Sequence, residues 1–276
     1  MRIRLLSLSI LTMLWLPVPA HAAAGPTFYL ALGDSLAIGV QPSSSGDVPT
    51  NKGYADDLYA VYRTQVPGLR LAKLGCSGET TTTMIQGGVC SYAEDNQLAA
   101  AVNFLQTHSV ALVTLDIGGN DIDQCISLTG IDETCVANGL TAVTTNLPQI
   151  LAELRNAAGS ATLIVAMNYY DPFLAAWTLG TTGQELAIAS LQVTTGLNSI
   201  LTGAYQAFAI PVADVASAYR INDFTIVPVL NLPRNVLLEL TWTWIGAPAP
   251  FGPDIHPNTL GYAVIAGAFV EKITAH

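Results

Sequence analysis

The chain has 276 residues, 51% of them hydrophobic and only 11% charged, with a formal net charge of −10. Its few basic residues are scattered, so no basic stripe exists to track a phosphate backbone, and nucleic-acid binding is disfavoured. The acidic balance otherwise indicates only a soluble, self-repelling surface.

Arg2 and Arg4 precede an almost unbroken apolar run from Leu5 to Leu16, which Pro17 and Pro19 end. Ala20-His21-Ala22 then has the small-x-small pattern of a signal-peptidase site. The run is about a dozen residues, shorter than the ~20 a membrane-spanning helix needs. Residues 1–22 therefore read as a signal peptide, cleaved near Ala22, and the protein as secreted. Roughly 250 residues remain, enough for one large domain over 25–276 with its own core. No later segment reads as a stable membrane span, because the nearest, Tyr262 to Val270, stops at Glu271-Lys272. The apolar excess is assigned to a large core and an apolar substrate surface.

Continuous apolar, β-branched runs alternate along the chain with longer stretches of helical spacing. A strand over Thr27–Leu32 leads to a helix over Tyr54–Tyr62. A strand over Leu69–Leu74 precedes a helix over Gln97–Gln106, and one over Val110–Ile117 precedes a helix over Leu140–Arg155. Strands over Ala161–Met167 and Ala209–Val212 flank a helix over Glu185–Tyr205, and a helix over Thr259–Ile273 closes the chain. Unbroken rather than alternating strands are covered on both faces. This order predicts an α/β fold of three layers, a five-stranded parallel sheet between two layers of helices. The proline-rich stretch from Ala216 to Pro253 shows little periodicity and reads as a long loop or lid. Its Phe224, Ile226, Val227, Leu237, Leu238, Trp242 and Trp244 would form an apolar wall beside the site.

Ligands in such sheets bind at the carboxyl ends of the strands. Three glycine-containing loops meet there: Gly33-Asp34-Ser35, Gly75 to Gly78, and Gly118 to Asp121. Ser35, on a tight turn heading into an expected helix, is placed for nucleophilic attack, although Asp-Ser also serves as an ordinary helix cap. A serine needs a base. His21 lies in the signal segment, His276 ends the chain and His108 sits in a polar turn before a strand, which leaves His256 in Gly252-Pro253-Asp254-Ile255-His256-Pro257-Asn258. Donors for a developing oxyanion are available from the Ser35 N–H, the Gly78 N–H and the Asn120 side chain.

Cys76, Cys90, Cys125 and Cys135 are an even set in an exported chain, without any C-x-x-C pair, which favours disulfides over zinc. Of the three possible pairings the local one, Cys76–Cys90 with Cys125–Cys135, is the simplest.

Serine, glycine, asparagine and histidine thus occur in order, each in a distinctive context. With Gly33-Asp34-Ser35-Leu36, Ser77-Gly78-Glu79-Thr80, Gly118-Gly119-Asn120-Asp121 and His256-Pro257-Asn258, the chain resembles the SGNH (GDSL-type) hydrolases from about Thr27 to Thr274. Among them, secreted bacterial lipases and esterases look most similar. The resemblance implies a flavodoxin-like fold and cofactor-independent ester hydrolysis. It also implies a Ser35–His256 couple and an oxyanion hole made by Ser35, Gly78 and Asn120.

Two positions depart from the pattern. The usual acid three residues before the histidine is replaced by Pro253, and the nearest acid is Asp254, whose side chain starts in a different direction. Either Asp254 or a backbone carbonyl, such as that of Pro253, must then hold the imidazole. Trp242-Thr243-Trp244 also lacks the flanking cysteines of some relatives, which leaves that loop unstapled.

No G-x-S-x-G elbow and no G-x-G-x-x-G fingerprint occur, so an α/β-hydrolase and a dinucleotide enzyme are both disfavoured. Asp116, Asp121 and Asp123 invite a calcium site but lack the remaining ligands, and no metal or cofactor is expected. The expected partner is a small-molecule or lipid ester, and the expected state a monomer. A carbohydrate acetyl esterase and a non-catalytic secreted binding module are the alternatives.

Overall fold

The computed structural model describes residues 25–275, so the expected signal peptide over residues 1–22 lies outside the described residues. The apolar runs form five strands: β1 (Thr27–Gly33), β2 (Arg70–Lys73), β3 (Ser109–Asp116), β4 (Leu163–Met167) and β5 (Val212–Ala213). All neighbours are parallel, in the order β2-β1-β3-β4-β5. Five residues of β1, from Tyr29 to Gly33, are buried, as a strand covered on both faces requires.

The principal helices are α1 (Tyr54–Tyr62), α2 (Thr81–Gln86), α3 (Gln97–Thr107), α4 (Glu133–Ala158), α5 (Thr181–Ala207), α6 (Arg234–Trp242) and α7 (Thr259–Ile273). α1 packs on α7, with the Tyr54 ring stacked on Phe269 at 4.9 Å, while α4 joins α2, α3 and α5 in the other layer. Helix starts are set by short polar side chains that accept otherwise unpaired N–H groups. Asn96 accepts from Ala99 at the start of α3, Asp132 from Cys135 at α4, and Asn258 from Leu260 and Gly261 at α7. No helix among the described residues is long and apolar enough to cross a membrane.

Two expectations change. No helix follows Ser35. Residues 35–39 form a turn closed by Val40 N–H on Ser35 O at 3.0 Å, and Gly39, at φ +69°, takes a backbone conformation that stops helical winding. The next helix is α1. The stretch 216–253 is also more than a loop. It carries a hairpin pairing Ile226–Val227 with Leu232–Pro233, followed by α6. Asn235 Nδ2 donates to Ile221 O at 2.8 Å and Arg234 pairs with Asp223 at 2.9 Å, which tie the start of α6 to the chain before it.

From β1 the chain passes outward to β2, then back across β1 to β3. The connections after β1 and β3 therefore diverge and open a crevice at the carboxyl ends of these two central strands.

Candidate active site

Ser35 is offered to that crevice by the residue before it. The Asp34 N–H donates to Asp116 O at 3.1 Å and Asp116 Oδ1 at 3.0 Å, which pins the turn to the end of β3. The Asp34 carboxylate accepts Leu36 N–H at 2.9 Å through Oδ1 and Tyr169 O–H at 2.9 Å through Oδ2. Asp34 is thus consumed by the scaffold, and Ser35 is the free residue of the pair. Behind it, burial and the neighbouring Asp34 charge push the Asp116 carboxyl well above the ordinary range, and Tyr54 O–H donates to Asp116 Oδ2.

The second loop is tied to the first. Cys76 N–H donates to Gly33 O at 3.0 Å, and Glu79 N–H to Cys76 O at 3.1 Å, closing a turn around Gly78. Gly78 has φ +80°, the left-handed region that an L side chain rarely takes. Cys76 is bonded to Cys90 and Cys125 to Cys135, with Cα separations of 6.1 and 5.5 Å. Gln97 reaches down from α3 to exchange two hydrogen bonds with the Gly33 backbone, at 2.7 and 2.8 Å, and donates to Glu79 Oε2 at 3.0 Å.

The third loop locks onto the second. Asn120 Nδ2 donates to Glu79 O at 3.0 Å, which orients the amide and leaves its second N–H for a ligand. Asp121 faces the other way, accepting Thr81 N–H at 2.9 Å and Thr81 O–H at 2.7 Å. Among the described residues, neither the Ser35 N–H nor the Gly78 N–H donates to a backbone acceptor.

His256 arrives from the far end of the chain. Trp244 N–H donates to His256 O and Asn258 N–H to Trp242 O, both at 2.9 Å, so the Trp242–Trp244 segment holds the histidine loop as a short antiparallel pairing. Tyr170 O–H supports the same loop at Ile255 O, at 2.8 Å. Asp254 Oδ1 accepts the His256 N–H at 2.8 Å and lies 2.9 Å from its Nδ1. Burial alone would raise the Asp254 carboxyl, but the hydrogen bonds and charge of His256 outweigh it and hold the group below its ordinary value. A second acid stands near. Asp47, on the hairpin pairing Gln41–Ser43 with Gly46–Val48, has Oδ2 at 3.9 Å from Nδ1.

Ser35, Asn120 and His256 line one cleft, walled further by Tyr169, Tyr170, Thr194 and Leu197, with a cavity volume of about 30 Å³. Ser35 and His256 are both buried. Gly78 does not line this cleft; it joins it only through the Glu79 carbonyl that orients Asn120. With Nδ1 facing Asp254, Nε2 is the ring nitrogen left for a proton from Ser35.

One expectation about the surroundings is overturned. The apolar side chains of 216–253 do not line the cleft. Trp242 packs edge-on against Tyr219 at 5.2 Å, Phe224 lies against Trp177 at 5.5 Å, and Trp244 Nε1 donates to Gln41 at 3.2 Å. The unstapled Trp-Thr-Trp stretch is instead held by the backbone pairing to the histidine loop. Asp116 and Asp121 also turn to separate partners rather than converging with Asp123 on one ion. Asp47, Asp254 and His256 are the trio among the described residues whose ligand atoms lie within 4.8 Å of one another. His108 stacks on Phe104 at 4.1 Å, away from the cleft.

The profile of the GDSL-like lipase/acylhydrolase family matches residues 31–264, which contain every element of this cleft. The chain belongs to that family. Its fold is similar to that of an extracellular lipase from Streptomyces rimosus, with a TM-score of 0.58 at 18% identity, covering 89% of this chain and 99% of that one. It is similar also to a phospholipase A1 from Streptomyces albidoflavus (TM-score 0.56, 21% identity, 91% and 100% covered). A catalytic mutant of an acetylxylan esterase from Geobacillus stearothermophilus has a TM-score of 0.55 at 15% identity, with 91% and 95% covered. No curated protein matches the chain by sequence. At these identities the GDSL-like neighbours share the three-layer fold, while their substrates differ from one another.

Sequence reasoning missed Asp47, Gln97 and Tyr169. Asp47, Gln97 and Tyr169 act through folded geometry and sit in no recognisable motif. Asp123, singled out in the sequence as a candidate calcium ligand, stands one helical turn after Asn120 and lines the cleft.

Proposed function

We propose that the protein is an exported carboxylic ester hydrolase with Ser35 as nucleophile and His256 as base. The observation that carries this reading is that Ser35, Asn120 and His256 line one cleft while Asp254 occupies the far nitrogen of the imidazole. Ser35 Oγ attacks the ester carbonyl as its proton passes to His256 Nε2, and the resulting imidazolium is stabilised by Asp254. The oxyanion takes hydrogen bonds from Ser35 N–H, Gly78 N–H and Asn120 Nδ2–H. Collapse breaks the C–O bond, and Nε2 returns the proton to the departing alkoxide, leaving an acyl-serine. Water then adds to the acyl carbon and gives a proton to Nε2. Expulsion of Ser35 Oγ, which recovers that proton, releases the acid.

The Gly78 role is supported by its N–H, which donates to no backbone acceptor, on an exposed turn next to the Glu79 carbonyl that orients Asn120. Export rests on the two disulfides, which persist in an oxidising compartment. A cavity of about 30 Å³ holds roughly two water-sized groups, which favours small acyl groups over long chains and so brings carbohydrate acetyl esters in as a second reading.

The test is Ser35→Ala. Hydrolysis of p-nitrophenyl acetate and labelling by a fluorophosphonate probe should both vanish in a protein with unchanged melting. Hydrolysis at the wild-type rate would overturn the assignment, and a wild-type protein that neither hydrolyses nor labels would be the non-catalytic binding module.

A further inference from the structure

Asp123 sits in the cleft with no assigned task. It ends the four-residue helical turn Asn120–Asp123, and a spacing of three residues puts its side chain on the same face as Asn120. That face lines the cleft, whereas Asp121 turns away to Thr81. The cleft that Asp123 lines also holds Ile122, Tyr170, Pro172, Thr194 and Leu197, with no lysine or arginine and His256 as its one basic side chain.

The surrounding charge is all of one sign. Removal from water, then the charges of Asp34, Asp171 and Asp121, push the Asp123 carboxyl up to about 8, and no hydrogen bond from the protein opposes this. A carboxyl raised in this way holds its proton to higher pH than an ordinary one, and in that form has one O–H to donate. Asp123 is half-buried, and an acid without a protein partner that faces a cleft is a candidate for ligand contact.

A ligand that brings a carbonyl, ether or hydroxyl oxygen to Asp123 satisfies it. An alkyl chain laid over it removes its remaining water and offers nothing in return.

We propose that Asp123 is the specificity-determining residue of this cleft, admitting short or oxygen-bearing groups and rejecting longer alkyl chains. The inference rests on the Ser35–His256 reading and adds the substrate class to it: esters of acetyl-sized or oxygenated acids.

The experiment compares kcat/KM for p-nitrophenyl acetate, butyrate and octanoate in the wild type, Asp123→Asn, Asp123→Ala and Asp123→Leu. The wild type should favour acetate over octanoate by about 100-fold, a discrimination within reach of pocket contacts. Asp123→Asn keeps a polar donor and should keep that preference within about threefold, while Asp123→Leu and Asp123→Ala should raise the octanoate-to-acetate ratio at least ~10-fold. Asp123→Ala carries the comparison if the leucine variant fails to fold, which fluorophosphonate labelling and thermal melting report. A wild type that takes octanoate as well as acetate, or an unchanged ratio in a folded apolar variant, overturns the proposal. Either result leaves the serine assignment standing if Ser35→Ala is inactive. Absence of Ser35-dependent turnover on every ester removes both.

Discussion

One oxygen of Asp254 meets His256 twice, accepting the backbone N–H at 2.8 Å and lying 2.9 Å from Nδ1. The first contact is an Asx-type turn, in which a carboxylate folds back onto the N–H two residues ahead. That fold-back carries the side chain to the imidazole from a position only two residues away. It replaces the reach that the usual spacing of three residues would supply. Asp254→Asn should therefore lower kcat/KM on p-nitrophenyl acetate by about 10²- to 10⁴-fold, with the loss in kcat rather than KM. The amide keeps an oxygen for the turn but loses the charge that stabilises an imidazolium. Steady-state kinetics beside an unchanged far-ultraviolet spectrum checks this, and a loss below threefold would mean that another group holds the ring.

Asp47 is the natural candidate for such a group, and a smaller effect is expected of it. Its carboxylate is 3.9 Å from Nδ1 but half-exposed. Across that distance in a watery setting a unit charge is worth about 1 kcal/mol, a factor of roughly five in rate. Asp47→Asn removes a negative charge that helps to stabilise the imidazolium formed during turnover, so kcat/KM should fall modestly. Loss at the plateau should stay within about fivefold. The double variant with Asp254→Asn should lose more than either single change, because the two acids face one nitrogen.

Much of this was legible in the sequence. The strands over Thr27–Gly33 and Ser109–Asp116 are unbroken apolar runs, and α1 and α7 fall where helical spacing places them. β5 was harder, since two paired residues leave almost no pattern. α6 was hidden because Pro233 before it and Gly246 after it give a nine-residue helix the look of a loop. The helix expected after Ser35 failed at Gly39, where backbone conformation overrides the helix-forming residues between. For the site, a motif marks Ser35, Gly78, Asn120 and His256, whereas Asp47 and Gln97 contribute through long-range contacts that no local spacing encodes. The apolar wall expected from Trp242 and Trp244 was misread because a tryptophan that braces a loop and one that meets a substrate look the same in sequence.

Asn120 offers a cleaner dissection of the oxyanion site. One N–H is committed to Glu79 O at 3.0 Å, so truncation costs both a donor to the substrate and the tie between two loops. Asn120→Ala should lower kcat by about 10²- to 10³-fold, with KM nearly unchanged. The loop tie is separable, because Gln97 and the Cys76–Cys90 bond also hold the second loop. The melting temperature should therefore fall by no more than about 4 °C, the scale of a 1 kcal/mol loss in a domain of this size. A large drop in melting with kcat retained would assign Asn120 to structure alone.

The buried acids set an unusual pH dependence of stability. Burial pushes Asp121 up to about 6, Asp171 to about 7 and Asp123 to about 8, while unfolding returns such groups to an ordinary value near ~3.9. Between those limits the folded chain keeps protons that the unfolded chain has lost. Stability therefore falls as pH rises from about 4 toward 8, the reverse of a paired carboxylate. Asp254, held below its ordinary value by His256, works in the opposite sense only at more acidic pH, where its contribution is lost. The protein should melt at least ~4 °C higher at pH 5 than at pH 8, on the scale of 1 kcal/mol or more. Asp171→Asn removes the ionisation while its oxygen keeps the Phe173 N–H bond, 3.0 Å in the acid, and its amide N–H faces Ser190 Oγ, 2.9 Å from the acid, whose O–H is then left to donate to Ala187 O. It should flatten part of that slope by stabilising the protein at pH 8. Differential scanning calorimetry across pH 5 to 8 decides the matter, and a melting temperature that rises with pH would show that these carboxyls are ionised in the folded state.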